Sequence, residues 1–210
     1  SGYAEGNVDM TGNVGLWHMN GNWLDSSGNN NNGLPNNNVS PLSEPQLGTN
    51  SGYFGGYGQT YATGGYLIIN DSASLKPVNT ISISSWAKPV GSQIDNAIIN
   101  KRYSLSNAPF NSYILGTNGS KFAFCIATGG QQTCISSQDY TFATAWYHVS
   151  GVYDGSIMKL YVNGAVVAST LKTGNINYSN LSSYIGSAVP TDGYYKGYID
   201  ELALFNRVLR

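Results

Sequence analysis

Charge is the scarcest property of this 210-residue chain, because Asp, Glu, Lys and Arg together make up only 10% of it. A typical soluble domain has about 25%. The formal net charge is −1, and Lys101-Arg102 is the one adjacent pair of basic residues. Nucleic-acid binding requires a basic stripe or patch, so a nucleic-acid partner is excluded. An apolar run as long as the roughly 20 residues of a membrane span is also missing, which excludes membrane insertion.

Cysteine is nearly absent as well, since Cys125 and Cys134 are the two in the chain. Both are flanked by strand-forming residues, and Gly129-Gly130 supplies a turn between them. A hairpin at that turn would bring the two thiols together. We therefore predict a disulfide, which implies an oxidising compartment; two unrelated buried thiols are the alternative. Zinc is excluded, because a tetrahedral site needs more ligands than this pair provides and neither histidine is near it.

Glycine, asparagine and tyrosine replace the missing charge, with 26 Gly, 24 Asn and 16 Tyr in the chain. Tyr suits half-buried strands, whereas Gly and Asn suit turns and are poor helix formers. The composition therefore predicts an all-β protein. The pattern of β-formers and turns predicts twelve strands: Val14–His18, Gly65–Ile69, Thr80–Lys88, Ala97–Lys101, Ser112–Gly116, Lys121–Ala127, Thr133–Ser136, Trp146–Tyr153, Ile157–Val162, Ala165–Thr170, Tyr184–Ile185 and Gly197–Phe205.

Turn signals separate these strands, and the strongest is Asn163-Gly164 between two runs of β-formers. Asp192-Gly193 is a further turn signal of the same kind. The Asn-rich stretch Asn29–Asn38 is predicted to be a long loop within the domain. Nothing marks a domain boundary, so residues 1–210 are predicted to be a single domain. Residues 1–13 form an N-terminal lead-in, and the domain is expected to be excised from a longer protein.

Six sequence blocks in a fixed order carry a resemblance to a known family. They are Gly15–Asn20, Leu24–Asn29, Ser84–Pro89, Trp146–Val149, Leu160–Gly164 and Gly197–Leu209. In these blocks the chain resembles laminin G-like (concanavalin A-like) jelly-roll domains of bacterial surface and secreted proteins. The resemblance implies a two-sheet antiparallel jelly-roll β-sandwich. It also implies a secreted or cell-surface location and a ligand that is a glycan, a protein or calcium.

A structural Ca²⁺ is the one cofactor that the resemblance suggests. Related domains often bridge the first loop and the last strand with calcium, which here would involve Asp25 and Asp200, helped by backbone oxygens near Asn20 and Gly33. The loop 25–33 supplies a carboxylate and many amide oxygens, which are ligands that Ca²⁺ accepts. The alternative is an Asn-rich turn held by Asx hydrogen bonds, with Asp200 solvated.

The number and spacing of the carboxylates show whether the chain has the catalytic residues of a glycosidase. Retaining glycosidases of the same fold carry their acids as Glu-x-Asp-x-x-Glu or Glu-x-Asp-x-Glu on one strand face, with the two carboxyl groups about 5–5.5 Å apart. This chain has three Glu and no such run. Asp200 and Glu201 are neighbours on a predicted strand and so point to opposite faces. A Gly-x-Ser-x-Gly elbow is also missing. We predict that the chain is not an enzyme.

Two loops with aromatic and polar side chains are the predicted ligand site. Tyr and Trp stack on the apolar faces of sugars, and amide, carboxylate and guanidinium groups bind their hydroxyls. The predicted ligand-binding residues are Asp192, Tyr194 and Tyr195 in one loop, with Asp95, Asn96 and Arg102 in or near the other. Trp17, Trp86 and Trp146 lie within strand patterns and are predicted to be core residues.

The function predicted from these features is that of a non-catalytic, lectin-like adhesion module. Its expected partners are a glycan or surface glycoconjugate and the other domains of the parent protein. A structural or assembly domain of a surface fibre or pilus, which contacts other protein chains, is the alternative. A lyase or hydrolase that uses Tyr and His is a third, enzymatic interpretation.

Overall fold

The computed structural model describes residues 9–37, 39–55, 64–142, 145–189 and 192–209, with the side chains of 93–95, 189 and 192 left out. Its strands are β1 (Asn13–Trp17), β2 (Leu34–Asn36), β3 (Val39–Leu42), β4 (Ser51–Gly55), β5 (Tyr66–Ile69), β6 (Ile81–Pro89), β7 (Gln93–Arg102), β8 (Asn111–Gly119), β9 (Lys121–Thr128), β10 (Gln131–Ser136), β11 (Tyr147–Tyr153), β12 (Ile157–Val162), β13 (Ala165–Leu171), β14 (Ser183–Ile185), β15 (Ser187–Val189), β16 (Asp192–Tyr194) and β17 (Lys196–Phe205). A short 3₁₀ turn, Ala73–Leu75, follows β5.

The strands form two antiparallel sheets and one small hairpin. The eight-stranded sheet has the order β13-β12-β11-β6-β17-β4-β3, with β1 also paired to β17. The seven-stranded sheet has the order β10-β9-β8-β7-β14-β5-β2, and β15 pairs with β16. This arrangement confirms the predicted all-β sandwich. Across the described ranges, no helix has the length and apolarity to span a membrane.

The core lies between the two sheets, where strand alternation brings apolar residues together from both sides. Trp17, Phe54, Tyr113 and Phe124 are among its fully buried large side chains. Trp17 was predicted to be in the core, and its Nε1 donates to the carbonyl of Asn31 at 2.9 Å. This hydrogen bond satisfies the polar end of the indole, as a buried tryptophan requires.

Each of the twelve predicted strands overlaps a strand of the structure, but five further strands were missed. They are β2, β3, β4, β15 and β16. The prediction that Asn29–Asn38 is one long loop is wrong, because β2 occupies Leu34–Asn36 and pairs with β5. Pro35 is tolerated because β2 is an edge strand of its sheet. The three residues of β2, Leu34–Asn36, carry no strand signal in the sequence, so β2 forms because the tertiary structure places it beside β5.

The central strand of the eight-stranded sheet, β17, pairs with β6 along one edge. Its other edge is shared, since Lys196–Ile199 pair with β4 and Leu202–Phe205 pair with β1. The ladder with β6 shifts between Asp200 and Ala203, and Glu201 there has φ of 47°. This β-bulge in left-handed backbone redirects the strand from one partner to the other.

The predicted disulfide is confirmed. Cys125 and Cys134 are Cα partners in the β9–β10 hairpin, and their sulfurs are bonded. Gly129 and Gly130 form the connecting turn with φ of 57° and 76°, a backbone region that glycine enters without strain.

Reducing this disulfide is expected to lower the free energy of unfolding by about 2–3 kcal/mol, because the loop it closes is short. The domain should stay folded, since the sandwich core does not depend on the bond. Urea unfolding followed by circular dichroism, with and without reductant, measures the change. The Cys125→Ser/Cys134→Ser variant is the control and should not respond to reductant. Unfolding on reduction alone would contradict the prediction.

Candidate ligand-binding site

The outer face of the seven-stranded sheet carries a row of polar and aromatic residues centred on β7. Ile99 and its strand partners Leu115 and Ile185 all belong to the core, so Asn100, which follows Ile99, points to the outer face. Asn100 is paired with Ile114 on β8 and with Tyr184 on β14. Tyr184 is half-buried and is the part of this row that reaches solvent.

The β15–β16 hairpin lies over this outer face. Asn100 Nδ2 donates to the carbonyl oxygens of Ser187, at 3.3 Å, and of Ala188, which leaves Asn100 fully buried. From the other strand of the hairpin, the Tyr194 ring packs 5.9 Å from the Tyr66 ring. The hairpin therefore forms a wall beside the row and shelters its polar groups.

Arg102 lies two residues along β7 from Asn100, beside Tyr184. Its Nη1 donates to Asn111 Oδ1 at 3.1 Å, and the guanidinium carbon is 5.7 Å from the centroid of the Phe110 ring. Arg102 is only 6% exposed. Burial lowers the pKa of its guanidinium, and the nearby Tyr184 acts in the opposite direction.

Two buried polar atoms in this row have no hydrogen-bond partner among the described residues: Asn100 Oδ1 and Arg102 Nε. An unsatisfied buried polar group costs about 1–3 kcal/mol, so native proteins rarely retain one without a reason. A ligand or ordered water supplies the missing partner in such places. We call the outer-face row of Tyr66, Asn100, Arg102, Asn111 and Tyr184 the β7 surface.

The predicted site residues are only partly brought together. Arg102 belongs to the β7 surface, whereas Asn96 is six residues away on the same strand, about 20 Å at 3.3 Å per residue. Asn96 is also buried, with 7% exposure. The side chains of Asp95 and Asp192 lie outside the described residues, so these two predictions remain predictions.

The prediction that Tyr194 and Tyr195 stand exposed on a rim loop is wrong. Tyr194 is 3% exposed and Tyr195 is fully buried. The Asp192-Gly193 pair, interpreted as a turn, belongs to β16, which pairs with β15 and returns the chain to the sandwich. Tyr195 joins the core, and its hydroxyl donates to the Tyr198 carbonyl at 3.3 Å. Burial raises its pKa.

Trp86 and Trp146 were predicted to be core residues, and this too is wrong, because both are half-buried. On β6 the buried Ser85 and Ala87 face inward, so Trp86 between them faces outward. Trp146 lies 6.2 Å from the Tyr198 ring, and Tyr198 lies 5.0 Å from Tyr53. These rings form an aromatic stripe on the outer face of the eight-stranded sheet. The available signal was the period of two in β6, which places Trp86 on the same face as Ser84 and opposite to the core residues Ile81 and Ile83.

The hydrogen bonds of Asp25 match the alternative to a calcium site, which is a turn held by Asx hydrogen bonds. Its Oδ1 accepts hydrogen bonds from the Leu16 and Ser27 amides, and its Oδ2 from the Asn31 amide and Ser27 Oγ, all at 2.9 Å. Four protein donors thus surround the carboxylate, which fits a hydrogen-bonded turn better than a cation site.

Asp200 is fully buried, so the alternative that it is solvated is wrong. Its Oδ2 accepts hydrogen bonds from the Gln46 and Leu47 amides at 2.9 Å, and its Oδ1 has no partner among the described residues. Burial raises the pKa of Asp200 to about 6. Asp25 and Asp200 have no hydrogen-bond partner in common, and the described ranges contain no cluster of three or more metal-ligating side chains.

The other candidate catalytic groups are engaged in separate contacts. Glu44 pairs with Lys88 at 2.7 Å, and Glu201 pairs with His18 at 2.8 Å. His148 Nε2 lies 2.8 Å from Ser84 Oγ, and burial lowers the pKa of this histidine. Among the described residues, none of these contacts joins two carboxyl groups.

The class of protein follows from this fold. A family model described as the concanavalin A-like lectin/glucanases superfamily, of laminin G type, matches residues 61–210. The match covers most of the chain, so the chain belongs to this family. No curated protein matches the chain in sequence.

Solved structures with a similar fold include several binding domains. Domain 4 of AbnA, an extracellular GH43 arabinanase from Geobacillus stearothermophilus solved with arabinotriose, has a TM-score of 0.71 and 18% identity over 94% of both chains. The binding domain of Paraclostridial Mosquitocidal Protein 1 has a TM-score of 0.72 and 14% identity, covering 96% of this chain and 50% of that one. A botulinum neurotoxin type C structure, whose study links cell entry to two ganglioside molecules, has a TM-score of 0.69 and 16% identity, with coverages of 96% and 49%. The chain thus spans about half the length of the toxin binding domains it matches, and these likenesses show the fold.

Tyr195→Ala is expected to lower the free energy of unfolding by about 3–5 kcal/mol, because it empties the space of a buried ring. Tyr195→Phe keeps the ring and loses the hydrogen bond to the Tyr198 carbonyl, so it should cost about 1 kcal/mol. Urea unfolding measures both variants. An Ala variant of normal stability that failed to bind ligand would instead restore Tyr195 to the ligand site.

Calcium binding remains a prediction, and substitution of the Asp200 carboxylate tests it. Because charging a buried, partly unpartnered carboxylate is costly, a bound cation would stabilise the fold. Chelator should then lower the melting temperature and excess Ca²⁺ should restore it, with Asp200→Asn removing the response. Asp25→Asn is the comparison variant, since loss of the turn hydrogen bonds should lower stability with or without Ca²⁺. Identical melting curves of the unmodified protein with and without chelator would contradict calcium binding.

Proposed function

We propose that this chain is a non-catalytic carbohydrate-binding module of a secreted or cell-surface protein, and that it binds its glycan at the β7 surface. The observation that carries the proposal is the partly exposed Tyr184 residue beside Asn100 and Arg102, which each have a buried polar atom without a described partner.

Sugar chemistry matches this combination. A pyranose or furanose ring has an apolar face of C–H groups, which packs on a tyrosine ring as other apolar surfaces do. Its hydroxyls both donate and accept hydrogen bonds. Both unpartnered atoms are covered in this structure, so a sugar would reach them only if the groups packed over them shift; the Asn100 carbonyl oxygen would then accept from one hydroxyl, and the Arg102 Nε–H would donate to another oxygen. Binding would thus supply the partners that these two atoms lack.

The hairpin wall gives the site a fixed shape. Asn100 is held by two backbone carbonyls of β15, and Tyr66 is packed between Tyr184 and Tyr194 at 6.0 and 5.9 Å. Side chains held in this way lose little conformational entropy when a ligand binds, which improves affinity. The rings of Tyr66 and Tyr194 are therefore fixed before a ligand binds.

The comparisons support a carbohydrate ligand in general terms. The AbnA domain of similar fold was solved with arabinotriose, and the botulinum type C study concerns gangliosides. The disulfide supports a secreted or surface location, since such bonds persist in oxidising compartments. The separate engagement of Glu44 and Glu201 supports binding without hydrolysis, because a glycosidase would need paired carboxyl groups.

A glycan array followed by titration of the best glycan tests the proposal. Tyr184→Ala should weaken that binding at least about tenfold, equivalent to about 1.4 kcal/mol. Tyr198→Ala is the matched control, because it removes a tyrosine of similar burial from the aromatic stripe on the other sheet. It should leave the affinity unchanged.

Three other outcomes would contradict the proposal in different ways. Loss of binding in Tyr198→Ala but not in Tyr184→Ala would move the site to the aromatic stripe. Absence of any saturable glycan signal, together with self-association, would favour the assembly-domain alternative. Turnover of the bound glycan would show an enzyme.

A further inference from the structure

Arg102 is a buried cation for which the described chain provides no negative partner. Arginine stays protonated in proteins, so its charge is permanent. Its described contacts are the neutral amide of Asn111 and the ring of Phe110. The ion pairs among the described side chains involve His18, Lys76, Lys88, Lys101 and Arg207, and none involves Arg102.

The preceding residue, Lys101, is a buried cation that does have a negatively charged partner. Lys101 is fully buried, and its Nζ lies 2.5 Å from Asp71 Oδ1 and also donates to the Leu181 carbonyl. Lys101 is paired with the core residue Tyr113 and points inward, whereas Arg102 lies beside the ring of Phe110, and the β7–β8 pairing shifts register between the two residues. The inward cation thus has a carboxylate, whereas the outward cation, on the β7 surface, has none.

An uncompensated buried charge is costly, and an anion relieves that cost. The guanidinium has one edge engaged, where Nη1 donates to Asn111, and its Nε is unpartnered. The opposite edge is formed by Nε and Nη2, whose N–H groups are parallel; Nε is buried in this structure, so a carboxylate would reach this fork only if the side chains packed over it shift. This fork matches the two oxygens of a carboxylate, and such bidentate pairs are among the strongest charge-assisted hydrogen bonds.

We propose that the β7 surface selects acidic sugars, with Arg102 binding a carboxylate on the glycan. The inference rests on the proposed function and narrows its substrate class to uronate- or sialate-type residues. A single carboxylate balances the single charge of Arg102. Asn100 and Tyr184 would then contact the hydroxyls and the apolar face of the same or the adjoining sugar.

Paired probes test this selectivity with the full chain. One pair is trigalacturonic acid and its carboxyl-reduced form; the other is sialyllactose and lactose. The unmodified protein should bind the acidic member of at least one pair ten times or more as tightly as the neutral member. Arg102→Gln should remove that preference, and Arg102→Lys should retain only part of it, since lysine lacks the fork. Lys121→Gln is the matched control, because it removes the same charge from an exposed position on β9.

Each variant is also tested for folding, because an unfolded variant would lose binding whatever the role of Arg102. Circular dichroism and the melting temperature should show that at least Arg102→Lys is folded, which keeps the comparison interpretable. The acidic probe should raise the melting temperature of the unmodified protein and of Lys121→Gln, but not that of Arg102→Gln.

The results separate failure of this inference from failure of the proposed function. Equal affinity for acidic and neutral members, with Tyr184→Ala still weakening both, would overturn the acidic preference and leave glycan binding in place. Preference for a sulfated sugar over every carboxylate probe would overturn the carboxylate assignment. An acidic preference that appears only in Asp192→Asn would show that the chain supplies its own counter-charge, which also overturns the inference. Binding of no probe and of no array glycan would overturn both proposals.

Discussion

The pairing of β17 with three neighbouring strands is the constraint on which the sandwich depends. One edge is hydrogen-bonded to β6, and the other is divided between β4 and β1. The division requires the bulge at Asp200–Ala203, where Glu201 takes left-handed backbone at φ of 47°. The same bulge lies beside Asp200, whose Oδ2 holds the amides of Gln46 and Leu47. The first and last strands are thereby joined in one sheet.

The β7 surface depends on a second consequence of chain order. The chain leaves β14, turns through β15 and β16, and only then enters β17. The hairpin made on this route covers the outer face of β7, so polar groups that would otherwise meet solvent become buried. Burial makes the unsatisfied atoms of Asn100 and Arg102 costly, which turns an ordinary polar strand face into a site that favours a ligand.

The two outer faces of the sandwich differ in chemistry. The aromatic stripe on the eight-stranded sheet already has its charges paired, since Lys88 contacts Glu44 at 2.7 Å and lies 5.1 Å from the Tyr198 ring centroid. On the β7 surface the cation is buried and has no described counter-ion. Because binding energy comes from satisfying groups that are otherwise unsatisfied, the second face is the better candidate for a specific polar ligand.

Sequence reasoning succeeded where the signal was local. The Asn163-Gly164 hairpin and the Cys125–Cys134 pairing depend on residues close together in the chain, and the structure contains both. It failed for β2, whose edge position is set by pairing with β5, and for Tyr194 and Tyr195, whose apparent turn is a strand folded back onto the sandwich.

The sequence by itself thus determined the class of fold, the disulfide and the candidacy of Arg102. The tertiary structure decided that Arg102 lacks a described counter-ion and that Tyr184 and Asn100 are its neighbours. It also sent Lys101 to the opposite face, where Asp71 neutralises it. The reason is that burial and partnership of a charge depend on strands far apart in sequence, which no local pattern specifies.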